Sequence, residues 1–335
     1  MYYGIKGSKE EASRNVLYTV KHIPCQSKHE HTKMFLSLKD NKLQIPETGG
    51  DSIHPNKDHV RAVDWIFVTD TLNFCFWSHS KESQWSVNGF TGYYALEAAL
   101  HRALEEGHDI TNPEYYSTIT EDQLTHIFRG DTTATIPLLD QRLSALHEVG
   151  NILIQKFNKT FETCVKQSNK SAVKLLEIVV DNFPCFRDET LYKGQKVSLY
   201  KRAQILVADL WNFFEGKGWG EFHDIGEMTM FADYRVPQVL VYFGAMSYSD
   251  ELIENLKKDK YHLPSNSEEE VEIRGCSIHA VELVKKKLEE KIKTSGIDAE
   301  VPNSSLIDYY LWCYRRKHAR EMEKIPYHKT LGIYY

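Results

Sequence analysis

The sequence has no uninterrupted apolar stretch of the ~18–20 residues a membrane-spanning helix needs, so none is expected in its 335 residues. It has no C-x-x-C pair and no H-x-x-x-H partner for one. The six cysteines, Cys25, Cys75, Cys164, Cys185, Cys276 and Cys313, are dispersed. Neither a zinc site nor a redox motif is indicated, and free thiols in a reducing compartment are expected. Walker, G-x-G-x-x-G, G-x-S-x-G and H-E-x-x-H patterns are missing. Gly216 and Gly218 flank Lys217 without Walker spacing and read as a helix stop. An excess of basic charge is missing too. Forty-seven Asp and Glu against 41 Lys and Arg give a net charge of −6. That field does not favour non-specific duplex binding, so a nucleic-acid partner would need a local basic patch. No repeat of 20–50 residues, heptad run or low-complexity tract is visible. The stretch from Met1 to Asn15 is polar and charged, and resembles neither a signal nor a transit peptide. A soluble protein of the cytoplasm is expected, with the nucleus as the alternative.

What is present is an ordinary globular composition, 41% hydrophobic and 26% charged. The length suffices to bury a large core without disulfide or metal staples. Aromatics reach 12%, with 19 Tyr and 6 Trp, which suits a large core or a site that stacks on flat rings.

Helical spacing dominates from Leu96 onward. Leu96, Ala99, Leu100, Ala103 and Leu104 form one face, closed by Gly107. Thr120 to Gln123 is a capping box. Leu143 to Phe157, Ala172 to Phe183, Leu199 to Phe214, Val281 to Ile292 and Leu306 to Tyr314 carry further faces. The sum is about ten helices. The aromatic, β-branched run from Val63 to Trp77 is too apolar for a surface, and Gln84 to Phe90 reads as a hairpin strand with Asn88-Gly89 at its turn. The expectation is therefore a mainly α globule with a small β element near residues 65–90. Residues 1–55 read as a loosely ordered N-terminal arm, and 56–335 as one domain or two packed lobes. Leu263 to Glu270 reads as a polar, acidic loop.

The most informative segment runs from Met228 to Leu240. Asp233 lies between Phe231 and Arg235, before Pro237. A carboxylate among aromatics can act as base, nucleophile or cation stabiliser, with Arg235 holding it ionised. The simpler reading is a cap for a helix opening at Val236 or Pro237, and the residues alone favour it. Lys201 and Arg202 stand at a helix start, where free backbone N–H groups suit a phosphate; a solvated basic pair is the alternative. Asp308 and Trp312 are four apart and share a helix face, where a carboxylate beside a ring could hold a flat heterocycle. The residues alone favour an ordinary amphipathic helix with a surface Asp. Asp70 and Asn73 read as structural. His54 reads as a surface residue. The apolar end, Ile333 to Tyr335, is expected to dock.

Six colinear segments carry a resemblance: VDWIFVTDTLNF (63–74), YKRAQILVAD (200–209), TMFADYRVPQVL (229–240), VEIRGC (271–276), LIDYYLW (306–312) and the terminal IYY. From about residue 60 to the end, the chain resembles the queuosine salvage family of queuosine 5'-phosphate N-glycosylase/hydrolases. The resemblance implies a helical fold related to helix–hairpin–helix DNA glycosylases. It implies hydrolysis of the N-glycosidic bond of queuosine 5'-monophosphate, releasing queuine for reinsertion into tRNA. No metal or organic cofactor is implied, and no stable nucleic-acid partner. The family's central aspartate falls on Asp233, with its stacking ring on Phe231. Its C-terminal helix aspartate falls on Asp308, with Tyr309 beside it, and its pocket histidine falls on His54. A second acid often follows five residues later, where this chain has Cys313. A thiol cannot accept hydrogen bonds as a carboxylate does.

Within that resemblance Asp233 faces the ribosyl cation, Phe231 stacks on the base, and Asp308 with Tyr309, Trp312 and Cys313 surrounds it. Lys201 is the first choice for the 5'-phosphate, with Arg202 and Arg235 behind it. A glycosylase for another nucleoside or DNA base remains an alternative, as does an inactive queuine- or tRNA-binding adaptor.

Overall fold

The computed structural model describes residues 57–78, 83–258, 260–295 and 300–335. It is mainly helical, with two small antiparallel hairpins among the described residues. These residues form two compact units. The larger draws on segments within 47–187, 201–228 and 331–335, and the smaller on 188–200 and 229–330.

The larger unit opens with a helix, Ala62–Thr71, where the sequence suggested the start of a β element. All ten of its residues are buried, so no solvent-facing stripe marks a helical period. Tertiary packing overrides the weak helix propensity of Val63, Ile66, Phe67 and Val68. Phe67 stacks on Phe161 at 4.2 Å and meets Phe183 at 5.2 Å. Asp64 ties the helix in place, accepting from Phe161 N at 2.7 Å, Thr160 Oγ1 at 3.0 Å and Arg61 Nη1 at 3.0 Å. The β element narrows to Ser86–Val87 paired with Phe90–Thr91. Its Asn88-Gly89 turn has positive φ at both residues (51° and 76°), as a type I′ hairpin requires. The Asp131 carboxylate accepts both turn amides at 2.9 Å.

The expected helices follow: Tyr93–Glu105, Glu121–Ile127 with its capping box, Leu139–Lys156, Ala172–Asn182 and Lys201–Phe213. Lys201–Phe213 packs on Ala62–Thr71 and Ala172–Asn182. Two buried arginines satisfy the carbonyls that leave the first helix. Arg142 donates to the carbonyls of Leu72, Phe74 and Cys75, and Arg202 to those of Asp70, Thr71 and Cys185. The chain end docks as expected: Tyr335 is buried and its carbonyl accepts from Cys75 N at 2.5 Å.

In the smaller unit a hairpin absent from the sequence reading pairs Glu189–Tyr192 with Gln195–Ser198 through Lys193-Gly194. Helices Val236–Tyr242, Asp250–Lys257, Glu268–Ser295, Ser304–Lys317 and Ala319–Met322 complete it. The acidic end of the expected 263–270 loop is instead the first turn of the long helix. Glu268, Glu269 and Glu270 sit where the helix dipole favours anions. An apolar cluster built on Met230, Val239, Leu240, Ile278, Val281 and Ile307 joins these helices to the hairpin.

Candidate active site

Residues 228–235 of the smaller unit run from a buried start to a half-buried end. Met228, Met230 and Ala232 are buried, whereas Phe231, Asp233, Tyr234 and Arg235 are half-buried. The apolar residues anchor the segment and turn Phe231 and Asp233 to its other side. Three polar contacts fix its backbone. Phe231 N donates to Asp308 Oδ1 at 3.1 Å, Arg274 Nε donates to the Ala232 carbonyl at 3.0 Å, and Asp233 N donates to the Phe231 carbonyl at 2.7 Å.

Asp233 also braces the entry to the next helix. Its Oδ1 accepts from Arg235 N at 3.0 Å and Val236 N at 2.8 Å, and the helix starts at Val236 with Pro237 in its first turn. The N-cap position itself falls on Arg235, so these are turn bonds at the helix entry; they occupy one carboxylate oxygen and fix the direction of the group as a preorganised site requires. Asp308, on the Ser304–Lys317 helix, is buried and spends Oδ1 on the Phe231 amide. Phe231, Asp233 and Asp308 are therefore brought together in one unit.

Sequence reasoning missed Arg274, whose signal was its place within the VEIRGC segment. Its guanidinium is buried, pairs with Asp188 through both nitrogens (Nη1–Oδ1 3.0 Å, Nη2–Oδ2 2.5 Å), and reaches Glu270 at 3.2 Å. Spreading its charge over two acids lets it hold the Ala232 carbonyl without leaving a lone buried cation. Nearby, His328 is fully buried. Burial first, and the charge of Arg274 second, push its pKa from 6.5 down to about 3, so it is neutral.

Around the loop lie rings and cations. The Arg235 guanidinium sits over the Tyr327 ring at 3.8 Å and the Tyr234 ring at 5.3 Å, with Nη1 at 3.5 Å from Gln238 Oε1. Such stacking leaves the in-plane N–H edge of an arginine suited to an oxyanion. Tyr309 stacks on Trp312 at 6.0 Å, and Arg316 covers Trp312 at 5.1 Å. Burial raises the Cys313 thiol, against a lowering hydrogen bond from Tyr309. Position 313, where the resemblance implies a second acid, is thus filled by a neutral group tied to Tyr309.

Lys201 and Arg202 belong to the larger unit. Both are buried rather than forming a solvated pair. Arg202 lies over the Phe74 and Phe186 rings at 4.9 and 4.7 Å, and its terminal nitrogens are spent on the carbonyls of Asp70, Thr71 and Cys185. These bonds give Arg202 a structural role, while its Nε has no hydrogen-bond partner among the described residues. Lys201 stands among buried acids, lowering the pKa values of Asp70 and Asp209. Both are nevertheless raised, chiefly by burial, and Asp70 also by the charge of Asp209. Glu97 is pushed up to about 8, mainly by burial. Asn73 donates to Asp70 at 3.2 Å, in keeping with a structural role for both. His54 lies outside the described residues. Among the described residues, Glu106, His108 and His126 hold ligand atoms within 4.8 Å of one another, but Glu106 is already paired with Arg129 and His126. No described helix is long and apolar enough to cross a membrane.

Comparison with known proteins agrees with the colinear segments. Residues 53–335 match the family model described as queuosine salvage protein. A Bos taurus protein named queuosine 5'-phosphate N-glycosylase/hydrolase is 51% identical over 289 residues, covering 84% of each chain. Proteins of the same name from Nematostella vectensis and Sphaerobacter thermophilus are 45% and 38% identical. They cover 90% and 87% of this chain, and 90% and 86% of their own length. This chain belongs to the queuosine salvage protein family.

Proposed function

We propose that this protein hydrolyses the N-glycosidic bond of queuosine 5'-phosphate and releases queuine. The relatives' name supplies the substrate, and one observation carries the chemistry. A carboxylate, Asp233, is held by its own turn bonds on a loop clamped by Asp308 and Arg274.

Lengthening the ribosyl C1'–N bond leaves its electron pair on the base and positive charge on the sugar. A preorganised carboxylate beside C1' lowers that barrier, either electrostatically or by attack. Water then adds its oxygen to C1', and the proton it loses balances the one the departing base takes up at the nitrogen that held the sugar. The leaving base is a 7-deazapurine, which has no N7 to protonate, so its departure depends on hydrogen bonds to the remaining ring edges. Asp308 Oδ2 is assigned to accept from the base's N–H edge, which gives specificity more than rate. Phe231 stacks on the base, a contact worth ~1–3 kcal/mol by analogy with nucleic-acid stacking. Tyr309, Trp312 and Cys313 line the same helix face. Arg235 is the cation of this unit assigned to the 5'-phosphate, and Lys201 holds that role on family resemblance alone. We further propose a scaffold related to helix–hairpin–helix DNA glycosylases, a cytoplasmic location and a reaction that consumes only water.

Incubation with queuosine 5'-monophosphate, queuosine and guanosine 5'-monophosphate, with free base followed by chromatography, tests the proposal. Queuine is expected from the first. Release from none of the three, with queuine still bound in a titration, would replace the enzyme by a binding protein.

A further inference from the structure

Tyr248 has no part in the site described so far. It lies six residues beyond the Val236–Tyr242 helix, in a connection fixed at both ends. Ala245 N and Met246 N both donate to the Leu240 carbonyl, at 2.8 and 3.2 Å, and Ser249 Oγ caps the Asp250–Lys257 helix by accepting Leu252 N at 3.2 Å. The Tyr248 ring packs against the apolar cluster of the smaller unit. Its place is therefore set by backbone and packing, not by its hydroxyl. That hydroxyl is buried and has no hydrogen-bond partner among the described residues.

An orphaned buried hydroxyl costs ~1–3 kcal/mol, and phenylalanine would fill the same space without that cost. Such a group calls for a partner. Burial, then the charges of Cys276 and Asp233, raise the phenol far above its ordinary value. It is a neutral hydrogen-bond donor, and the cluster its ring packs against includes Met230 and Ala232, the latter adjoining Asp233 in the chain.

We propose that Tyr248 is a substrate-binding residue whose hydroxyl donates to a ribose hydroxyl of the nucleotide held at Asp233. The inference rests on the reading of Asp233 as the group facing C1', since the 2'-hydroxyl is on the adjoining carbon. It predicts that the hydroxyl is a burden in the free protein and an asset in the complex.

The test compares wild type, Tyr248→Phe and Asp233→Asn by thermal melting and by steady-state kinetics, using queuosine 5'-monophosphate and its 2'-deoxy analogue. Tyr248→Phe should melt at or above the wild-type temperature, yet lose about tenfold in kcat/KM on the ribonucleotide, the size of one hydrogen bond. On the 2'-deoxy substrate it should match wild type within about twofold, because the partner is already gone. A kcat/KM on the ribonucleotide within twofold of wild type overturns the proposal, as does an equal loss on both substrates. Full activity of Asp233→Asn strikes the underlying reading instead, and the Tyr248 ratios still decide whether the contact exists.

Discussion

Asp233 does two jobs with one carboxylate, and two substitutions separate them. Its Oδ1 holds the amides of Arg235 and Val236 at 3.0 and 2.8 Å. Asparagine keeps a carbonyl oxygen in that position and removes the charge; alanine removes both. By analogy with an N-cap, the pair of helix-entry bonds is worth ~1 kcal/mol, a melting shift of roughly 2–4 °C. The charge facing a developing ribosyl cation should be worth about three orders of magnitude in kcat, or ~4 kcal/mol of barrier. Asp233→Asn is thus expected to melt with wild type and to lose ~10³ in kcat. Asp233→Ala should lose a similar factor and also melt ~2–4 °C lower. Queuine release by chromatography gives the first quantity and calorimetry the second. An asparagine variant retaining more than about a tenth of wild-type kcat would refute the electrostatic role. Equal melting temperatures for the two variants would refute the contribution of the helix-entry bonds.

How much of this was legible depended on which contacts leave a trace in sequence. Helices with one wet face announced themselves: Leu175, Leu176, Val179 and Val180 mark the buried stripe of Ala172–Asn182. Ala62–Thr71 did not, because a helix buried on every side has no period to read. The second hairpin turns on Lys193-Gly194, a pair that lacks the Asn-Gly signature that exposed the first. At the site, the local reading of Asp233 as a helix-entry residue and the resemblance-based reading as the reactive group are compatible, since the two turn bonds orient the carboxylate without removing its charge. Asp308 was legible as an acid on a helix face, but not as the acceptor of the Phe231 amide 77 residues away. Arg202 and Arg274 show the same limit. Their partners include the carbonyls of Asp70, Thr71, Cys185 and Ala232, and a backbone carbonyl carries no residue code. A buried arginine clamp therefore looks, in sequence, like a solvated or anion-binding one.

Two further outcomes follow from those buried groups. Arg202→Met should cost ~3 kcal/mol in urea unfolding by stranding three carbonyls; unchanged stability with a raised KM for the phosphorylated substrate alone would return Arg202 to phosphate binding. His328 gives the fold a pH dependence whose sign is fixed by its folded pKa of about 3 against 6.5 unfolded. The native state then takes up fewer protons than the unfolded chain below pH 6.5, so the contribution is complete above that value and is lost as pH falls toward 3. At ~1.4 kcal/mol per pH unit, the loss between pH 6.5 and 5 is ~2 kcal/mol. Urea unfolding at pH 7.5 and 5.0 should show wild type losing ~2 kcal/mol more than His328→Gln, which carries no titrating ring. Equal losses would mean that His328 takes up its proton without unfolding the unit, and that the charge of Arg274 beside it is not felt.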